Sequence, residues 1–261
     1  MFYYIFYPLR TAWFGFNIFQ YITFRSAGAA VTAFLITLLF GKSIIRMLRE
    51  RSVLERIRSG KNYEELHQRH KTKEGTPTMG GLIILLAVMV ATLCWVRLET
   101  LQAQVVIISS LWLGLIGFVD DYIKLRKIGG RGLPGRIKLA GQLLLGFGLA
   151  LFLLYHPETS SYAGHLRIPF YKYAFIRQMG LFSVIFTAVV LVGSTNAVNI
   201  TDGLDGLAIG CLAIAALAFA GLSYVTGHFR FAQYLQVIYI PGAGELAVFC
   251  AALGGASLGF L

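Results

Sequence analysis

The sequence predicts an all-α fold: a polytopic integral membrane bundle of about seven transmembrane helices. Three observations predict it. Hydrophobic side chains make up 57% of the 261 residues and charged ones only 13%, with a mean hydropathy of +0.69. Apolar runs near the length needed to cross a bilayer, about 20 residues, recur along the chain. Lysine and arginine concentrate in alternate connections between those runs. Such a composition describes a chain whose solvent is lipid, and it excludes disorder. Cys94, Cys211 and Cys250 are an odd number and each sits inside an apolar run, so they read as small hydrophobes rather than a disulfide framework.

Residues 1–25 are expected to form an interfacial segment of one single membrane domain that spans 1–261. Bulky rings crowd there, among them Phe2, Tyr3, Tyr7, Trp13, Phe14, Phe19 and Tyr21, which suits the headgroup belt. Arg10 interrupts the stretch and no small-residue cleavage site follows, against a signal peptide. Packing of the same rings on the bundle is the competing expectation. Seven spans follow, at about 26–45, 75–96, 100–119, 139–157, 178–201, 206–229 and 245–261, and the second to sixth carry no Asp, Glu, Lys or Arg.

Counting cations loop by loop orients these spans. Nine Lys and Arg fall from Arg46 to Pro77 and six from Asp121 to Lys138, against one (Arg97), three (Arg167, Lys172, Arg177) and one (Arg230) in the alternate connections. The cation-rich loops belong on the cytoplasmic side, with the N-terminus outside. Most of the formal net charge of +11 is therefore a topology signal, and nucleic acid is not an expected partner. Three polar constellations then meet at one membrane face.

The first is Asp120-Asp121, directly after the apolar run Leu113 to Val119. Carboxylates at a membrane boundary need partners and are functional candidates by default. A solvated helix end with Lys124 as ion-pair partner is the alternative. The second is the segment Asn196 to Gly206, where Asn196, Asn199 and Asp202 recur three residues apart and share one face if helical. Gly203 and Gly206 let backbone approach a ligand there. A merely conformational polar turn seldom needs four amide or carboxylate groups in so short a stretch. The third is Lys73 with Gly75-Thr-Pro-Thr-Met-Gly-Gly81, a helix start that can hold phosphate oxygens or be an ordinary Thr-Pro initiation.

Around these, the Gly129 to Arg136 loop reads as a flexible cytoplasmic connection, with Lys138 kept as a phosphate partner. His67 and His70 lack a third metal ligand and read as solvated. Carboxylates, amides and lysines gathered at one membrane face point to an enzyme handling a phosphorylated substrate with a divalent cation, where positioning and charge neutralisation do most of the chemistry. The residues alone name no substrate.

At these same positions the chain resembles the polyprenyl-phosphate N-acetylhexosamine-1-phosphate transferases. The resemblance rests on Lys73 with Gly75 to Gly81, Gly117-Phe-Val-Asp-Asp-Tyr122, Asn196 to Ala208, Ala243-Gly-Glu-Leu246 through Gly259-Phe-Leu261, and Phe16 to Arg25, so it covers nearly the whole chain. Within the family these strings favour the muramoyl-pentapeptide branch over one using UDP-N-acetylglucosamine. The resemblance implies transfer of phospho-N-acetylmuramoyl-pentapeptide from its UDP-linked form to undecaprenyl phosphate, giving lipid I and UMP, with Mg²⁺ as cofactor, in the bacterial inner membrane. By similarity Asp120 and Asp121 are the catalytic pair and possible-metal neighbours of Asn199, the Mg²⁺-side amide. Lys73, Thr76, Thr78, Lys138, Asn196, Asp202 and Asp205 are the expected substrate contacts, and membrane lipid and a homodimer are the further partners to test for. Family members continue past the point matching Leu261 into further spans with another aspartate and a histidine-rich loop, so a shortened chain is expected. A non-catalytic membrane protein or small transporter is the alternative of another class, but no repeated halves support a transporter.

Overall fold

The computed structural model describes residues 1–50, 80–126, 132–167, 175–176, 179–201 and 206–261. Helix α1 (Phe2–Phe6) and two 3₁₀ turns (Tyr7–Thr11, Phe14–Gln20) lead into α2 (Ile22–Glu50), followed by α3 (Gly80–Trp95), α4 (Leu101–Arg126) and α5 (Gly135–Tyr155). A two-residue antiparallel ladder, β1 (Leu166–Arg167) with β2 (Phe175–Ile176), sits between α5 and α6 (Phe182–Thr201). The chain continues through α7 (Leu207–Thr226), the short α8 (Phe229–Tyr234) and α9 (Gly244–Phe260). The polytopic helical architecture is the expected one, and nothing in the hydrophobic pattern announced the small ladder.

Among the described residues, five helices are long and apolar enough to cross a membrane: Ile22–Gly41, Leu101–Lys124, Gly135–Tyr155, Phe182–Thr201 and Leu207–Thr226. The other two of the seven expected spans are shorter apolar helices, α3 with 16 residues and α9 with 17. Residues 75–79 of the expected second span lie outside the described residues.

Some boundaries moved in ways that matter. Helix α4 continues past Val119 to Arg126, so Asp120 and Asp121 stand within a helix rather than after one. Helix α5 begins at Gly135 behind Pro134, not at Leu139, which places Lys138 in its first turn. Helix α7 stops at Thr226 against Gly227 rather than running to Phe229.

Helix α9 is the most deeply packed, lying against α2, α3 and α7. Small residues make this possible. A side chain at Gly255 would strike the backbone of Ala30, and one at Gly259 would stand 2.7 Å from the Phe34 carbonyl oxygen. Ala29, Ala33, Ala252 and Ala256 close the same seam at 0% exposure. Without a hydrophobic drive between helices in lipid, close backbone approach of this kind is what holds them.

At the end of the bundle where α2 and α9 begin, Arg25 and Glu245 form a buried two-pronged ion pair, Nη1 to Oε2 at 2.6 Å and Nη2 to Oε1 at 2.7 Å. The Arg97 backbone N–H donates to the same Glu245 carboxylate at 2.9 Å, and Arg25 also donates to the Trp95 carbonyl. The N-terminal segment packs on this cluster. The Phe2 and Phe19 rings stand 5.0 and 6.1 Å from Trp95, while Trp13 and Phe14 face outward at 64% and 84% exposure. Packing on the bundle thus holds for some of the expected interfacial rings, and others remain free to meet headgroups.

Candidate active site

The helices alternate in direction, so the C-terminal part of α4, the start of α5, the end of α6 and the start of α7 share the end opposite Arg25 and Glu245. Asp120 is 19 residues beyond the start of α4, roughly 29 Å along its axis. It is buried, and both its oxygens are taken: Oδ1 accepts the Leu133 backbone N–H at 2.8 Å, and Oδ2 lies 2.8 Å from Lys124 Nζ. A side chain at Gly132 would meet those of Asp120 and Lys124, so its absence eases the close approach of the 132–134 segment to the carboxylate.

Asp121 shares Lys124, whose Nζ donates to its Oδ1 at 3.1 Å. The ion pair expected of a plain helix end is therefore present, but on partly buried carboxylates. Asp121 also lines a cavity of about 530 Å³ walled by aliphatic and aromatic side chains such as Leu85, Val88, Leu113, Phe118 and Phe249. Among the described residues it is the one ionisable group of that lining.

Lys138, from the first turn of α5, reaches across to α6 and donates to Asn199 Oδ1 at 3.3 Å, with its Nζ 3.9 Å from Asp120 Oδ2. One ammonium thus ties the aspartate constellation to the asparagine one. Asn196, one helical turn before Asn199, spends its amide hydrogens elsewhere: Nδ2 donates to Gln142 Oε1 at 2.8 Å and to the Val192 carbonyl at 2.9 Å. The start of α7 is set by Gly206, whose φ of +79° favours glycine.

Of the expected site residues, Asp120, Asp121, Lys138, Asn196 and Asn199 gather at this end of the bundle. Lys73, Thr76, Thr78, Asp202 and Asp205 lie outside the described residues. The residues that sequence reasoning missed are Gln142 and the Leu133 amide. Gln142 carried a signal, as a lone amide in an apolar run four residues after Lys138; a backbone amide has none. The carboxylate oxygens of Asp120 and Asp121 and the amide oxygen of Asn199 are hard donors of the kind Mg²⁺ takes. In this structure Lys124 and Lys138 lie on those oxygens. Among the described residues no three His, Cys, Asp or Glu side chains cluster as a metal site.

The chain matches known proteins along its whole length. Residues 103–261 match glycosyl transferase family 4, and residues 73–85 match signature 1 of phospho-N-acetylmuramoyl-pentapeptide-transferase. The chain is 48% identical over 261 residues to the phospho-N-acetylmuramoyl-pentapeptide-transferase of Thermodesulfovibrio yellowstonii, covering 100% of this chain and 70% of that one. It is 43% identical to the enzyme of the same name from Endomicrobium trichonymphae, over 100% and 71% of the two chains. For that of Methylacidiphilum infernorum the identity is 44%, over 94% and 67%.

Proposed function

The chain belongs to the phospho-N-acetylmuramoyl-pentapeptide-transferases of glycosyl transferase family 4, and on that premise we propose that it transfers phospho-N-acetylmuramoyl-pentapeptide from its UDP-linked form to undecaprenyl phosphate, producing lipid I and UMP. The observation that carries the reading into this structure is Lys138 standing between Asp120 and Asn199, which brings two separate sequence motifs to one end of the bundle.

In this reaction an oxygen of the lipid phosphate attacks the phosphorus that bears the sugar. A new P–O bond forms to the lipid as the bond to the bridging oxygen breaks, and UMP leaves with that oxygen. Negative charge gathers on the departing phosphate. Lys138 and Lys124 supply positive charge next to it, and such preorganised electrostatics is often the largest catalytic contribution. The interaction of Asp120 with Leu133 and Lys124 holds this charge pattern, while Asp121, on the lining of the apolar cavity, is the carboxylate we assign to the lipid acceptor. Mg²⁺ would be held by Asn199 with the aspartate oxygens and would offset pyrophosphate charge. The family resemblance assigns Lys73, Thr76, Thr78, Asp202 and Asp205 to substrate binding.

The chain is a multi-pass membrane protein. By the same family reading we place it in the bacterial inner membrane, and a cytoplasmic site is supported by the Lys- and Arg-rich stretches of sequence that adjoin the helix ends at the Asp120 end. The test is UMP release from UDP-N-acetylmuramoyl-pentapeptide plus undecaprenyl phosphate by the chain in lipid, with and without Mg²⁺. Release that needs Mg²⁺ and vanishes in Asp121→Asn supports the proposal. Release from UDP-N-acetylglucosamine instead, or none from folded protein, overturns it.

A further inference from the structure

Helices α5 and α6 run antiparallel, and three contacts recur along their seam at four-residue steps of α5. Lys138 meets Asn199, Gln142 meets Asn196, and Gly146 meets Ala188. The outer two have evident reasons. The first belongs to the site, and the third is a close approach in which a side chain at Gly146 would stand 3.0 Å from the Ala188 Cα.

The middle contact joins two neutral amides and holds none of the charged groups of the site. Gln142 is 3% exposed inside an apolar span, where an amide without a partner is costly. Its Oε1 accepts from Asn196 Nδ2 at 2.8 Å, and the other Asn196 hydrogen is held by Val192 of its own helix. Sliding one helix past the other by a turn, about 5.4 Å, would leave the Gln142 acceptor without this donor. Leucine or methionine there would pack equally well at several heights. A buried polar residue that specifies register is the best-attested use of such a group.

We propose that Gln142 is a positioning residue for the transferase site: through Asn196 it locks the axial register of α5 against α6 and so sets the approach of Lys138 to Asn199 and Asp120. The proposal rests on the transferase reading for its effect on rate, though not for the lock itself. One turn of helix separates Gln142 from Lys138 and one separates Asn196 from Asn199, so the register of the buried pair passes directly to the pair that handles charge.

The experiment compares Gln142→Met, which keeps length and loses the acceptor, with Gln142→Glu, which keeps an acceptor oxygen. It uses the full chain in lipid, with UMP release measured alongside the distance between spin labels on exposed Ile137 and Ile200, in a background with Cys94, Cys211 and Cys250 replaced by alanine. For Gln142→Met a fall in kcat of tenfold or more is expected, with KM for the nucleotide sugar moving less than twofold and the label distance broadened or displaced. For Gln142→Glu, kcat within about threefold of the parent and the parent distance are expected. An unchanged distance in Gln142→Met overturns the lock whatever the rate does, and a changed distance with parent kcat overturns its role in positioning. Should the parent itself release no UMP, the transferase reading fails, and the label distances still decide the lock.

Discussion

Lys138 Nζ stands 3.3 Å from Asn199 Oδ1, although 61 residues separate the two in the chain. The same ammonium is 3.9 Å from Asp120 Oδ2, so one cation links α4, α5 and α6. In the proposed reaction, a cation in that place would act on charge that develops during phosphoryl transfer. Removing one such preorganised group costs on the order of 10²–10³ in kcat. Lys138→Met is expected to lower kcat for UMP release by that amount while leaving the thermal unfolding temperature in detergent nearly unchanged, because no buried carboxylate loses its main partner. Parent-like kcat in Lys138→Met would remove it from the site.

The two aspartates are held differently, and their variants should separate. Asp120→Ala leaves the Leu133 N–H and the Lys124 ammonium without their shared acceptor, at a cost of about 1–3 kcal/mol for a buried polar group. It is expected to lower both the unfolding temperature and UMP release. Asp121 accepts only from Lys124 among the described residues, so Asp121→Asn is expected to abolish release at near-parent stability. Equal losses of stability in the two variants would contradict this division.

Much of this was legible from residue order alone. Period and length of the apolar runs placed the membrane helices, and the lysine and arginine count showed that the Asp120, Asn199 and Lys138 groups share one end. Helix boundaries were less legible, because Asp120 and Asp121 look like a stop in hydropathy yet continue α4 once Lys124 and the Leu133 amide satisfy them. The Arg25 and Glu245 pair was invisible for another reason: the partners are 220 residues apart and each, taken singly, looks like an ordinary charge at the end of a span. Gln142 fell between the two cases, odd in its apolar run but without meaning until Asn196 stood opposite.

Gly255 offers a test of the packing that carries α9. Its α-carbon lies so near Ala30 of α2 that any side chain would meet backbone, which cannot swing aside as a flexible side chain can. Overpacking of this kind costs about 1–3 kcal/mol. Gly255→Val is expected to lower the unfolding temperature and the yield of monodisperse protein in detergent. Gly148, with open space where a side chain would go, is the control, and Gly148→Ala is expected to behave as the parent. Equal behaviour of the two variants would mean that α9 is not held by close approach to α2.

The buried pair of Arg25 and Glu245 makes the last prediction, and its logic turns on what is left behind. Both side chains are nearly inaccessible, at 2% and 4% exposure, and Glu245 also holds the Arg97 amide. Removing one partner strands the other as an uncompensated charge, which costs about 3–5 kcal/mol, whereas replacing both with apolar residues of similar volume is often neutral. Arg25→Met and Glu245→Leu are each expected to lower the unfolding temperature sharply, with the double variant recovering most of the loss. The Arg97 amide sets a limit on that recovery, since it loses its acceptor in Glu245→Leu and in the double variant alike. UMP release by the double variant should stay close to the parent, because the pair stands at the opposite end of the bundle from Asp120. A double variant as unstable as the sum of the singles would show that the pair acts through separate contacts rather than through each other.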